Sequence, residues 1–337
     1  PAWRSARQSA RELNRQSQDI QRGVGVAAGW YGCGNTSITN PSTIRAGVRP
    51  DGTLVLHQGA VDIGQGANTV MAQIFAEALG VPAMTVTLES ADTDITPDGG
   101  KTSASRQTFV SGNAARLAGE TLRRRILERV NAEEDATLAF EMGCIRVTGK
   151  ASSHKIDLSA LPVENGYVFE AIETYDPPTK PLDENGQGEP YAQYGYAAQL
   201  AVVEVDIELG TVKATGFTAA HDVGRAINPL LVEGQVHGGI AQGLGMALME
   251  EYLPGQTENL HDYLIPTIGD IPPIETIIIE EPDLNGPYGA KGLGEHVLIP
   301  TAPAILNAIY HATGARIRDL PASPTRVLTA IEALSDD

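Results

Sequence analysis

TLVLHQGAVDIGQGANTVMAQIFAEALGVPAMTVTLES, residues 53–90, changes its hydrophobic period twice. Residues 53–58 and 84–90 cluster or alternate β-branched and apolar side chains, as strands do. Between them Val70, Met71, Ile74, Phe75, Ala78 and Leu79 recur at helical spacing. The stretch predicts strand, helix, strand. Downstream, the spacing predicts a helix from about Ser105 through Val130, with Val110, Leu117, Leu122, Ile126 and Val130 on its buried face.

Farther out, strand signals at 196–206 and 211–220 flank Glu208-Leu209-Gly210 and predict a hairpin. Residues 229–252 read as a long helix whose many glycines cost helix propensity and point to close approach of a neighbour or ligand. Ile274 to Glu280 reads as a strand, Thr301 to Thr313 as a helix with Thr301 as N-cap and Gly314 as its stop, and Pro324 to Leu334 as a last helix. Mixed elements without a regular βαβ repeat predict an α+β architecture. The polar stretch 131–190, rich in Gly, Pro, Asp and Glu, marks a soft boundary. The expected division is a helical arm or linker at 1–22, a first lobe at 23–150 and a second at 151–337. The Arg-rich opening runs straight into the strand-like Gly23-Val24-Gly25-Val26-Ala27, as in a subunit that docks on a partner or a segment of a longer chain.

With 337 residues, 42% of them hydrophobic, the chain can bury a substantial core. A formal net charge of -18 repels nucleic-acid backbones and anionic membranes. No apolar run approaches the length of a bilayer span or a secretory signal, so the expected location is cytoplasmic. The two cysteines, Cys33 and Cys144, lie far apart, so this chain cannot hold an iron–sulfur cluster with its own thiolates. Its seven histidines show no metal-ligand spacing.

Four segments carry ligand chemistry. Residues 286–296, Gly-Pro-Tyr-Gly-Ala-Lys-Gly-Leu-Gly-Glu-His, place Glu295 at the end of a glycine-paved turn. Gly286, Gly289, Gly292 and Gly294 permit dihedrals closed to other residues, and a flat group could lie against the turn with Glu295 at its edge. The plainer alternative is a solvated loop glutamate. Gly64-Gln65-Gly66 joins a strand to a helix and exposes backbone N–H groups to an anion; it reads equally as a turn with a capping glutamine. Residues 99–107, Gly-Gly-Lys-Thr-Ser-Ala-Ser-Arg-Gln, put three hydroxyls and two cations at a helix start, more than a cap needs, in an order that is not a Walker A loop. Gln235 and Gln242 are seven apart and share a helix face paved with glycine, or serve tight helix packing.

RGVGVAAGWYGCG, VDIGQGANT, KTSASRQTFVSGNA, HDVGRAINPLLVEGQVHGGIAQGLG, GPYGAKGLGE and TAPAILNAIYHATGARIRDLPASPTRVL, in this order, closely resemble the molybdenum hydroxylases, the family of xanthine dehydrogenase and the bacterial aldehyde oxidoreductases. The resemblance runs from about Arg22 to the end and covers roughly the C-terminal half of that family's molybdenum-binding portion. It implies a molybdenum-cofactor-binding domain of two mixed lobes. In it Glu295 matches the catalytic base, Gln65 and Gln242 the glutamines beside metal and pterin, and the loop Thr102, Ser103, Ala104, Ser105, Arg106, Gln107 the cradle of the pterin or its phosphates. Gly64, Gly66, Gln235, Gly292 and Gly294 complete the cofactor-facing set.

Trp30, Tyr31, Cys33 and Asn35 correspond to a substrate-side turn, Cys33 with a lining role only. The implied reaction replaces C–H by C–OH on an aldehyde or an electron-poor nitrogen heterocycle, with oxygen taken from water. The implied cofactor is a molybdopterin, in the cytosine dinucleotide form, whose dithiolene rather than any side chain holds the metal. The family's N-terminal molybdenum-binding half, its iron–sulfur domains and its flavin domain have no counterpart here. A second molybdenum-binding subunit, an iron–sulfur subunit and an FAD subunit are therefore expected partners, as in the split nicotinate dehydrogenases. A non-catalytic cofactor-binding or assembly subunit, and a phosphate-ligand module built on residues 102–107, are the alternatives.

Overall fold

A computed structural model of the chain describes residues 2–34 and 38–335. The elements run α1 (Ala2–Asn14), β1 (Ile20–Gly32), β2 (Ser42–Val48), β3 (Leu54–Gln58), α2 (Ala67–Leu79), β4 (Val86–Ser90), α3 (Gln107–Glu128), β5 (Thr137–Glu141), β6 (Cys144–Thr148), β7 (Ser153–Asp157) and β8 (Phe169–Tyr175). They continue with β9 (Tyr194–Asp206), β10 (Val212–Asp222), α4 (Pro229–Leu248), β11 (Ile274–Ile279), α5 (Thr301–Thr313) and α6 (Pro324–Glu332). This is an α+β fold. Among the described residues no helix is long and apolar enough to cross a membrane.

Three sheets organise it, in the strand orders β1-β9-β10-β11, β4-β3-β2-β8 and β5-β6-β7. The predicted hairpin is β9–β10, antiparallel, while β11 joins β10 in parallel. One face of the first sheet is closed by α4 and α5 through Ala201, Val203, Val236, Ile240, Leu244, Ile305 and Ile309. A Cβ on Gly23 or Gly25 would fall 1.9 Å from the Ala308 carbonyl oxygen or 2.1 Å from that of Ala304, so the two glycines let α5 lie directly on β1. The second sheet packs under α2 and α3 through Ile44, Leu56, Met71, Ile74, Phe75, Leu122 and Ile126. Burying each such side chain contributes about 1.5–3 kcal/mol.

The sheets do not divide the chain at residue 150. β1 leaves the first half to pair with β9, and β8 returns from the second half to pair with β2. Composition marks the loop-rich stretch in between but carries no information about long-range strand pairing. The expected arm at 1–22 is a helix packed by Ala10 against Val24 and Leu200. Residues 83–85 form a 3₁₀ turn ahead of β4 rather than the start of a strand.

Thr301 is the first residue of α5 rather than its N-cap, which is Pro300 with no side-chain cap bond. The Thr301 hydroxyl donates instead to Gln199 Oε1 at 2.7 Å. Gly314 does end the helix, at φ 79°.

A candidate cofactor cleft

The loops before α2 and α3, the segment between β10 and α4, one face of α4 and the 290–295 turn enclose a cleft of about 570 Å³. That is within the range of small-molecule sites, roughly 300–1,000 Å³. Gly64, Gln65, Thr102, Ser103, Ser105, Gln107, Gln235, Gln242, Gly292, Gly294 and Glu295 all line it. Gly66, Ala104, Trp30, Tyr31 and Cys33 are not among its lining residues, and Asn35 lies outside the described residues.

Several residues also hold the cleft together through hydrogen bonds of their own. Asp62 accepts hydrogen bonds from the N–H groups of Gly64, Gly66 and Asn68 at 2.9, 3.2 and 3.0 Å. Partial burial raises the Asp62 carboxyl, the three N–H donors outweigh it, and the net shift is downward. The start of α2, expected to offer free N–H groups to an anion, is thus capped by the chain's own carboxylate. The Gln65 amide is likewise held in its loop, accepting from Ile63 N at 2.6 Å and donating to Val61 O at 3.4 Å.

Arg106 departs further from expectation. It is 0% exposed, and its guanidinium donates to the carbonyls of Gly99, Lys101, Asn40 and Pro41. It lines the cleft, but both of its terminal nitrogens are spent on organising the loops. Gln107 Nε2 is similarly engaged by Lys101 O at 2.6 Å. Ser105 Oγ accepts from the Glu295 backbone N–H at 2.8 Å. Thr102 Oγ1 donates to Val61 O at 2.8 Å, tying the first two loops together.

The turn itself is pinned by a residue that no motif marked. Gln193, 1% exposed, donates to Ala290 O and accepts from Gly292 N, both at 3.1 Å. Lys291 is buried and paired with Asp222, Nζ to Oδ2 at 2.6 Å. Cys33 is 2% exposed with Sγ directed at Gly292 O, and burial pushes its thiol up to about 12. It packs against Phe109 and Val110 and is not among the residues lining this cleft.

Trp30 and Tyr31 belong to β1, not to a turn, and alternate faces: Trp30 is 70% exposed on the outer side. Tyr31 Oη donates to Glu295 Oε2. Burial, then the hydrogen bond to Glu295 and its charge, raise the phenol well above its ordinary range. Glu295 itself is exposed at the rim. Arg225, which no motif singled out, is an exposed cation in the cleft wall.

The cleft offers hydroxyls, neutral amides and backbone groups rather than a ligand cage; among the described residues no group of His, Cys, Asp or Glu could hold a metal ion. A Cβ on Gly238 would meet nothing, and one on Gly294 would reach only Ser105 Oγ at 3.6 Å and Gln235 Oε1 at 4.0 Å, so both glycines leave space that a side chain would fill. Such a cradle fits a flat, polar organic cofactor that brings its own metal ligands.

Residues 1–272 match the family described as molybdopterin cofactor-binding domain. The chain belongs to that family. It is 34% identical over 337 residues to the xanthine dehydrogenase molybdenum-binding subunit of Escherichia coli O157:H7, covering 94% of this chain and 43% of that protein. It is 30% identical over 353 residues to the aldehyde oxidoreductase of Megalodesulfovibrio gigas, covering 99% of this chain and 35% of the relative.

In three dimensions it superposes on the crystal structure of the aldehyde oxidoreductase from Desulfovibrio desulfuricans ATCC 27774. The TM-score is 0.82 at 34% identity, covering 98% of this chain and 34% of that one. The fold is therefore the molybdenum-binding fold of these oxidoreductases, and the chain spans less than half the length of the relatives it matches.

Proposed function

We propose that this chain is the base-bearing, cofactor-facing part of a molybdenum oxidoreductase that converts C–H to C–OH on an aldehyde or an electron-poor nitrogen heterocycle, with oxygen from water. The observation that carries the reading is the setting of Glu295. Its backbone is held by Ser105, its Oε2 by the Tyr31 phenol, and the residue itself lines the cleft. A carboxylate so held can take a proton from a group bound in the cleft. When bound, the molybdopterin supplies the metal centre that accepts the two electrons.

Gln65, Gln235 and Gln242 bring neutral amides to the cofactor without adding charge beside Glu295. Ser103 and Arg225, in place of Arg106, are the side chains suited to its phosphates. The cytosine dinucleotide form rests on the resemblance of the sequence motifs alone.

Partner subunits carrying a second molybdenum-binding half, iron–sulfur clusters and flavin belong to this reading, and the E. coli protein's description as a molybdenum-binding subunit supports partners in general. The two buried, unpaired thiols here offer no cluster ligation, and they suit a reducing, cytoplasmic setting. The exposure of Glu295 also suits a non-catalytic subunit, and one substitution separates the two. In the native assembly, Glu295→Gln lowers turnover by about 10²–10⁴-fold with molybdenum and pterin content unchanged. Near-normal turnover in a fully loaded variant refutes the assignment.

A further inference from the structure

Glu295 sits on an irregular, exposed turn, a poor platform for a base whose geometry must hold within a few tenths of an ångström. Tyr31 is on the opposite kind of support. It lies near the end of the thirteen-residue β1, in register with Gly195 of β9. The adjoining backbone is fixed on both sides: a Cβ on Gly195 would sit 3.0 Å from His296 Nε2, and one on Gly32 would sit 2.2 Å from the Tyr191 ring. Neither neighbour leaves the strand room to shift.

We infer that Tyr31 is a positioning residue, a rigid strand-borne phenol that fixes the rotamer of Glu295 by donating to Oε2 and so turns Oε1 toward the cleft. The inference rests on the reading of Glu295 as the base. It differs from the substrate-side position that the resemblance implied for Tyr31. A tyrosine can do this because it is a donor throughout the working pH range, and burial beside a carboxylate keeps it protonated. Phenylalanine would fill the same space and leave the carboxylate free to rotate among solvent-facing conformers.

The test uses the native assembly with Tyr31→Phe, Glu295→Gln and the double variant. Tyr31→Phe lowers kcat by about 10- to 100-fold, the range of one charge-assisted hydrogen bond, with KM within about twofold and cofactor content unchanged. Independently of turnover, phenolate absorbance is titrated upward in pH within the range where circular dichroism is constant. Glu295→Gln removes the negative acceptor, so one additional tyrosine ionises at lower pH than in the wild type, and this increment is lost in the double variant.

Wild-type kcat in Tyr31→Phe, or coincident alkaline titrations of wild type and Glu295→Gln, overturns the positioning role while a dead Glu295→Gln keeps the base. Full turnover in Glu295→Gln overturns the base and the inference with it. Should Tyr31→Phe not assemble, the titration of Glu295→Gln against wild type still decides.

Discussion

A methyl group on Gly292 would sit 1.8 Å from the Ser105 carbonyl oxygen, whereas one on Gly294 would make only ordinary contacts. Two glycines in one turn therefore answer to different constraints. Gly292 lets the turn touch the 102–107 loop, and Gly294 keeps the cleft open. Gly292→Ala should cost about 1–3 kcal/mol, the usual range for forced overpacking, and displace Glu295. Gly294→Ala should leave denaturant stability within about 0.5 kcal/mol and act on cofactor retention instead. Chemical unfolding with metal analysis on both variants checks this; equal destabilisation would contradict the geometry.

At this scale the sequence was legible where residue type alone limits the role. Glu295 and the glycine paving stood out. The roles of Ser105, Arg106 and Tyr31 did not, because a donor's chemistry does not say which acceptor it reaches first. Arg106 finds two carbonyls in its own loop and two more at Asn40 and Pro41, and Tyr31 meets a residue 264 positions away.

Between β9, β10 and the turn lies a pair of imidazoles, His221 and His296, with ring centroids 5.4 Å apart and both residues buried. Burial, then the neighbouring His296, pushes His221 down to about 3. Burial pushes His296 down to about 4, with the Gly292 carbonyl opposing and Lys291 assisting. Neither ring nitrogen of His296 has a partner at hydrogen-bond geometry, so the pair is stable only while neutral.

Both folded-state values lie below the ordinary 6.5, so protons bind the unfolded chain first. The contribution is present above pH 6.5 and is lost progressively as pH falls through about 4 toward about 3. Denaturant midpoints at pH 7, about 5.5 and about 4.5 should fall through that window, ahead of the acidic range where depressed carboxylates such as Asp62 contribute. A flat profile down to about pH 4.5 would mean that the imidazoles are already satisfied. Elements were the most readable level: the β9–β10 hairpin, α4 and α5 follow from turn residues and periodicity. Pairings such as β1 with β9 depend on contacts that no local pattern encodes.

For the whole molecule the decisive feature is that the cleft is open along its rim. Glu295 is exposed, Ile63 on the opposite lip is 73% exposed, and Leu230 at the opening of α4 is 76% exposed. Apolar side chains left bare near a cleft mark a surface suited to covering by a further layer of protein. The outer face of the first sheet adds Trp30, Ile277 and Ile279, beyond the part that α1 covers. A base that works by proton transfer loses its advantage when bulk water competes for the same proton, so an open cleft is the wrong environment for the chemistry proposed.

The chain expressed by itself should therefore hold little molybdenum or pterin and show no substrate oxidation. Co-expression with the subunit that covers the cleft should restore both. The interface formed should be of the obligate kind, on the order of 2,000–5,000 Å², protecting backbone amides near Ile63 and Leu230 from hydrogen exchange. Metal analysis, turnover and exchange on the chain with and without its partner check this together. A loaded, active monomer would show that this chain closes the cleft unaided and that Glu295 needs no further burial.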